Sequence, residues 1–347
     1  MKICTPTLKI INKTRNVHDK DSPVISVEKL CIEEEGDDQR IDNFLFKRYK
    51  NVPKSHIYQL LRSGQIRVNG KRVGASYRLQ LNDIVRIPPI KATEKDTFQP
   101  ITITPSNFFT FNKLFEDDAL LVIDKPGGMA VHGGSGISFG VIEQLRAQNP
   151  SWKSLELVHR LDRETSGVLL LAKKRAALVE LHRQIREGLM EKHYLVMVQG
   201  EWRNAKQHVK LALNKYVTAA GERRVAISPN AHKDNKPMTA HTIFKLQKSW
   251  KNFSLLDAEL KTGRTHQIRV HLSHLGFPII GDDKYGNFEM NKQLAKAKSA
   301  INLARMFLHA HTLQINHPIS GERMKLQSPL SKDLQKFMDE LDKSSGT

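Results

Sequence analysis

The sequence predicts an α+β protein: a large domain around a mixed, largely antiparallel β-sheet, preceded by a small α/β unit. Three observations lead there. Short β-type runs ("ALLVIDKP", "ELVHRL", "GVLLLAKK", "KHYLVMVQGEW", "FSLLDAEL") fill the stretch from about 114 to 335, and helical stretches at 175–187 and 291–306 interrupt them. A basic segment at 37–90 carries its own helix and hairpin signals. Between the two, residues 91–113 are polar, hold two prolines and read as a linker.

The elements follow in chain order. Residues 1–36 show no clear periodicity, end in the acidic run Glu33-Glu34-Glu35-Gly36, and read as a flexible lead with room for one short strand. In "RIDNFLFKRY", Ile41, Phe44, Leu45 and Tyr49 stand at helical spacing. In "PKSHIYQLLRSGQI", Pro53 sits near a helix start, Ile57, Leu60 and Leu61 share a face, and Gly64 is a stop. "IRVNGKRV" is a hairpin turning at Asn69-Gly70, and "DIVRIPP" is a strand closed by Pro88-Pro89. After the linker comes the large domain, 114–335, without a fixed-period repeat. The final "LSKDLQKFMDEL" has an amphipathic helical pattern, and 336–347 read as a tail with frayed last residues.

At 347 residues the chain is long enough for two or three domains, and 39% hydrophobic residues are too many for a disordered chain. Lys and Arg total 55 against 36 Asp and Glu, a formal charge of +19. That excess points to a polyanion, either nucleic acid or an anionic membrane surface. No apolar run approaches the roughly 18–20 residues that span a bilayer, and the N-terminus lacks the apolar core of a signal peptide. Only Cys4 and Cys31 are present, which fits a reducing cytoplasm and offers no disulfide framework or cysteine zinc site. Nucleic acid in the cytoplasm leads.

Charge in the small unit is one-sided. From 40 to 90 the acids are Asp42 and Asp83, against a run of lysines and arginines. Phosphate contact explains this better than a solvated surface, since each neutralised phosphate releases counterions. The helix pair followed by "RSGQIRVNGKRV" resembles the S4 RNA-binding domain. By that resemblance Lys54, Arg62, Arg67, Lys71 and Arg72 are phosphate partners.

One aspartate, Asp162, lies in "VHRLDRETSG" (158–167) between two apolar stretches, flanked by Arg160 and Arg163. "LDR" alone is compatible with a loop aspartate in surface ion pairs, worth little to stability. The wider pattern is more specific. "HRLDRETSG", "EDDALLVIDKPGGMAVH", "EKHYLVMVQG", "TGRTHQIRVHLSHLGFPIIGDDKYG" and "FLHAHTLQINHP" resemble, in order, the segments of the RluA-type pseudouridine synthases. The likeness covers about 115–330. With the S4-like unit in front, the arrangement is similar to family members that modify large-subunit rRNA.

The resemblance implies a pseudouridine synthase fold with a central cleft, and an isomerase that acts on specific uridines of 23S rRNA without a cofactor. It implies rRNA or a pre-ribosomal particle as partner and no membrane; a monomer is expected. The reaction breaks the uridine N1–C1′ bond, turns the base and joins C5 to C1′. A stacked base is out of reach, so it must be flipped out, at a cost of about a few kcal/mol. The resemblance makes Asp162 the catalytic carboxylate. Attack at C1′, addition to the base and a glycal route all stay open. A carboxylate in a closed pocket protonates unless a cation holds it ionised. The resemblance assigns that cation to Arg264 in "TGRTHQIRVHL"; Arg269, alternating on the same strand, is the second choice and an RNA-contact candidate. The resemblance also implies that Arg160 enters the gap left by the flipped base, with a phosphate clamp as the alternative, and that Tyr194 is the surface on which the uracil stacks. Alone, a tyrosine in an apolar strand reads as core. Lys192 and His193 receive no chemical role.

Weaker features complete the reading. "HGGSG" (132–136) lacks the ending of a P-loop and reads as a tight loop near the cleft. His266, His271 and His274 form no HExxH pattern and read as structural groups or RNA contacts. "GDDKYG" (281–286) is turn-rich and placed near the site by the resemblance. Residues 203–237 read as an inserted hairpin that grips RNA through Arg223, Arg224 and Lys236, with a solvated loop as the plain alternative. Two other functions compete: a non-catalytic rRNA-binding assembly protein, and a hydrolase using Asp162 with Glu164.

Overall fold

The computed structural model describes residues 27–49, 52–90, 108–133, 139–152, 154–218, 221–228, 237–297 and 301–345. The chain divides into two compact units, Met1–Ile101 and Thr102–Thr347.

The first unit contains β1 (Glu28–Cys31), α1 (Ile41–Arg48), α2 (Lys54–Arg62), β2 (Arg67–Val68), β3 (Lys71–Arg72) and β4 (Ile84–Ile87). The strands pair antiparallel in the order β1-β4-β2-β3. Ile41 and Leu45 of α1, with Ile57, Leu60 and Leu61 of α2, form the buried faces that the spacing predicts. Asn69 and Gly70 both take positive φ (51° and 77°), the conformation of a tight two-residue hairpin. Strand β1 falls inside the segment read as a lead: it closes the sheet edge through Cys31 opposite Ile84. Residues 91–107, most of the expected linker, lie outside the described residues.

The second unit contains β5 (Asn112–Glu116), β6 (Leu120–Lys125), α3 (Val141–Gln148), β7 (Glu156–Leu157), β8 (Ser166–Ala172), α4 (Arg175–Glu187), β9 (Glu191–Gln199), β10 (Lys206–Lys210), β11 (Leu213–Val217) and β12 (Arg223–Ile227). It continues with β13 (His241–Ser249), β14 (Phe253–Leu260), α5 (Gln267–His274), α6 (Phe288–Lys296), β15 (Leu308–Asn316), β16 (Arg323–Gln327) and α7 (Lys332–Ser345). Among the described residues the main sheet has ten strands. Its path runs β10-β13-β14-β9-β15-β8-β6-β5, with β16 on β15 and β7 on β8. Every pairing is antiparallel except β15 with β8. Strands β11 and β12 form a separate hairpin.

That parallel step at the sheet centre places the site. There Ala310 pairs with Gly167 and, on the other side, with Tyr194. Gly167 has φ +107°, and a Cβ on it would collide with the Ala310 backbone. Strand β8 is buried along its whole length. Leu169 and Leu171 face one core, with Val196, Leu256 and Ile268; Val168 and Leu170 face the other, under Leu178 and Leu181 of α4. Each such side chain contributes about 1.5–3 kcal/mol by leaving water.

Several expectations need correction. "ELVHRL" supplies only the two-residue β7. The helix expected at 291–306 runs over Phe288–Lys296, because Asn287 caps it by accepting the Met290 N–H at 3.2 Å. The amphipathic helix expected in "LSKDLQKFMDEL" forms as α7 but runs on to Ser345 through most of the segment read as a tail, burying Leu334, Phe337 and Leu341 against Trp250, Phe253 and Phe307. "QIRVHL" is not a strand but the helix α5.

Candidate active site

The Asp162 loop links β7 to β8. Its first turn closes where the Thr165 N–H donates to the Asp162 carbonyl at 3.1 Å. Lys125, fully buried at the end of β6, anchors it: its ammonium donates to the carbonyls of Pro126 (2.8 Å), Met129 (2.8 Å) and Arg163 (3.0 Å). Burial, with Arg305 nearby, pulls the Lys125 pKa down to about 7, while three carbonyl acceptors require all three N–H donors of the protonated form. Behind the loop, Arg305 donates to the Ser166 hydroxyl at 2.7 Å, and that hydroxyl bonds His309 at 2.9 Å. The loop is therefore held from three strands, with the Asp162 side chain 27% exposed.

The counter-charge is Arg269, not Arg264. Arg269 Nη1 donates to Asp162 Oδ2 at 3.2 Å, from a side chain only 3% exposed. The other edge of the guanidinium forms a fork on Asp282, at 2.7 and 2.6 Å, and reaches Asp283 at 3.1 Å. The Tyr285 ring packs on its face at 5.2 Å. Burial works against the Arg269 charge, but the Asp282 and Asp162 carboxylates outweigh it and raise its pKa. Burial would likewise protonate Asp282, yet the Arg269 fork and the N–H groups of Lys284 and Tyr285 hold its pKa below the ordinary value.

The physical reason for the exchange is α5. On a helix that starts at Gln267, Arg269 lies in the first turn and points into the packed interior. Arg264 stays in the preceding turn, exposed, with Nε donating to the Thr239 carbonyl at 3.1 Å. Arg269 is thereby buried, with its guanidinium engaged by carboxylates. His266, the residue before α5, has φ +53°. Its Nε2 lies 3.9 Å from Asp162 Oδ2, and its Nδ1 lies 2.9 Å from the Tyr285 hydroxyl. That hydroxyl accepts the Val225 N–H at 3.0 Å, tying the β11–β12 hairpin to the site.

Asp162 opens on a cleft of about 1090 Å³ that Tyr194, Lys192, Arg160, Arg264 and Arg269 also line. Tyr194, 7% exposed, has its pKa raised by burial and by the Asp162 charge, so the phenol keeps its proton. His159 accepts the Leu170 N–H at 3.1 Å. Burial and the Lys192 charge push its pKa down to about 4, so the ring is neutral. Arg160 is exposed on the rim. Arg163 turns away to Glu164 at 2.7 Å, so Asp162 pairs with neither flanking arginine and Glu164 is no second free carboxylate. Among the described residues no group of His, Cys, Asp or Glu is placed to hold a metal ion.

The hairpin residues divide. Arg224 bonds Glu222 at 2.9 Å and the Lys284 carbonyl at 3.3 Å, committing it to internal contacts. The Arg223 side chain, Lys236 and most of "HGGSG" lie outside the described residues. In the first unit Lys54, Arg62, Arg67, Lys71 and Arg72 are all exposed. Register adds what spacing did not show: Lys29, Arg86, Arg67 and Arg72 stand opposite one another across all four strands. Like charges directly opposite destabilise a sheet, so this row suits an anion.

Sequence reasoning missed Asp282, Lys125, His266 and Tyr285 as site residues. Their signals are a lysine closing an apolar strand, and paired acids in a turn that the resemblance puts near the site.

Comparison with known proteins agrees with this geometry. Residues 119–274 match the family model described as RNA pseudouridylate synthase, and residues 39–85 match the S4 domain. The chain is 45% identical over 326 residues to Ribosomal large subunit pseudouridine synthase C of Pasteurella multocida, covering 93% of this chain and 97% of that protein. It is 44% identical over 327 residues to the Escherichia coli K12 protein of the same name, covering 92% and 98%. Two solved structures share the fold over 67% of this chain. They are Human RNA Pseudouridylate Synthase Domain Containing 1 (TM-score 0.52, 23% identity, 67% of this chain and 95% of that one) and Domain Containing 4 (TM-score 0.53, 24%, 67% and 93%). The S4 domain ahead of the larger unit and this likeness over nearly the whole length place the chain in the RNA pseudouridylate synthase family.

Proposed function

We propose that this protein converts specific uridines of 23S rRNA, free or in a pre-ribosomal particle, to pseudouridine in the cytoplasm. The observation that carries the reading is the Asp162–Arg269 contact at 3.2 Å on the wall of an open cleft. Arg269 pairs with the Asp162 carboxylate, and its fork on Asp282 fixes where it points. Asp162 thus presents an anionic oxygen to the ribose or base of a flipped nucleotide. Tyr194 offers its ring to the uracil, a stacking contact worth about 1–3 kcal/mol. Arg160, exposed and planar, fits the space the base vacates, and Arg264 on the rim reaches the incoming backbone. The cation row of the first unit supplies sequence-independent grip on phosphates. The large-subunit assignment rests on the names of the two bacterial relatives.

The test is isomerisation of a 23S rRNA substrate by the wild type and by Asp162→Asn. The wild type forms pseudouridine; the variant binds the RNA with similar affinity and forms none. Turnover by Asp162→Asn would move the chemistry to another group.

A further inference from the structure

Lys192 and Tyr194 stand two apart on β9, so their side chains leave the same face of the strand, and both line the cleft that holds Asp162. His193, between them, turns to the other face and meets Asp257 at 3.0 Å. Of the other cations around the cleft, Arg160, Arg163, Arg186 and Arg264 are exposed to water, and the rest are committed. Lys125 is saturated by three carbonyls, Arg269 by carboxylates, and Lys261 by Glu259. Lys192 differs: among the described residues its ammonium has no hydrogen-bond acceptor and no carboxylate partner. It is also largely shielded from water. A Cβ built on Gly263 would lie 3.7 Å from its Nζ, so the Thr262–Arg264 backbone passes close beside it. Burial draws its pKa below the ordinary lysine value. His159, whose pKa the Lys192 charge lowers, is neutral and gives it no counter-charge.

A desolvated ammonium without a counter-ion costs stability, and a chain that keeps one leaves its pairing to a ligand. The ligand chemistry follows from the reaction. If N1–C1′ breaks, by attack at C1′ or by the glycal route, the bonding pair stays on the uracil and spreads over N1, O2 and O4. If Asp162 adds to the ring, the pair moves to an enolate oxygen. Every route puts negative charge on a uracil carbonyl oxygen. The pair then returns in forming C5–C1′, and the proton lost from C5 is balanced by one gained at N1, so no oxidant or reductant is needed.

We propose that Lys192 is a catalytic residue: its ammonium binds a carbonyl oxygen of the uracil stacked on Tyr194 and stabilises the charge that develops there. This rests on the uridine-isomerase reading above.

The experiment uses the full chain, an rRNA fragment with one target uridine, and single-turnover kinetics at saturating enzyme. Lys192→Met lowers the isomerisation rate about 10²–10³-fold, the loss typical of removing one donor from a developing oxyanion. Its Kd for the RNA stays within about threefold of wild type, and Lys192→Arg recovers part of the rate. A second arm places 5-fluorouridine at the target. Fluorine withdraws electrons and stabilises the ring anion itself, so the Lys192→Met deficit in target consumption shrinks by about tenfold or more. A merely structural lesion would slow both substrates alike, and equal deficits overturn the proposal. So does an unchanged saturating rate with a raised Kd and a salt slope reduced by about one, which marks a phosphate contact. A wild type that leaves the uridine untouched defeats the isomerase reading instead.

Discussion

At Asp162 the carboxylate meets the Arg269 guanidinium at 3.2 Å, a Coulomb attraction of about 4 kcal/mol at the effective dielectric of such sites. The same guanidinium neutralises fully buried Asp282. Arg269→Met therefore strands a buried charge, and urea unfolding should show a loss of about 3–5 kcal/mol together with loss of activity. Asp162→Asn, at a partly exposed position, should unfold within about 1 kcal/mol of wild type while losing activity. His159 gives a pH signature. Its pKa is held at about 4, below its ordinary 6.5, so the folded state binds the proton less readily than the unfolded state. Stability is full above pH 6.5 and drains as the pH falls towards 4. His159→Gln, which keeps an acceptor for the Leu170 N–H, should show a shallower fall in Tm across that window. A fall as steep as wild type would assign the effect to other groups. At this scale the aspartate on the cleft wall was legible because its motif is local. Its cation was not, because the choice between two arginines five positions apart depends on which one the backbone turns inward.

That choice belongs to α5, and the element explains the misreading. Ile268, Val270 and Leu272 alternate with polar residues, the period of a half-buried strand. Yet Gln267 to Leu272 are all buried, so the helix has no amphipathic face to display its true period. The polar residues between are satisfied inside: His271 by Thr242 at 3.0 Å and the Leu211 carbonyl at 3.2 Å, and Gln267 by Thr242 at 2.9 Å. Elements with one wet face, α2 and α4, stand where their spacing put them. The centre of the sheet makes its own prediction. Gly167 takes a φ that side chains avoid and has no room beside Ala310. Gly167→Ala should lower stability by about 2–3 kcal/mol in chemical unfolding and reduce activity, since the strand leading from Asp162 must shift. A neutral result would mean that β8 and β15 can separate without consequence.

Over the whole molecule, the +19 charge pointed to a polyanion before any motif was read, and the four-cation row across the first unit gives part of that charge a face. The order of the two units was visible in composition. The row was not, because it exists only once four strands are in register. Changing Lys29, Arg67, Arg72 and Arg86 to glutamine should weaken rRNA binding and lower the salt slope by about 0.7–0.9 for each phosphate no longer neutralised. An unchanged slope would show that this face does not meet phosphate. The most direct measurement of the central claim, that Asp162 held by Arg269 isomerises uridine in large-subunit rRNA, is pseudouridine mapping of 23S rRNA from cells lacking this protein. The account predicts that defined pseudouridines disappear, return with the wild-type chain, and stay absent when Asp162→Asn is expressed at the same level. A 23S rRNA map unchanged by the loss, or restored by Asp162→Asn, would contradict it.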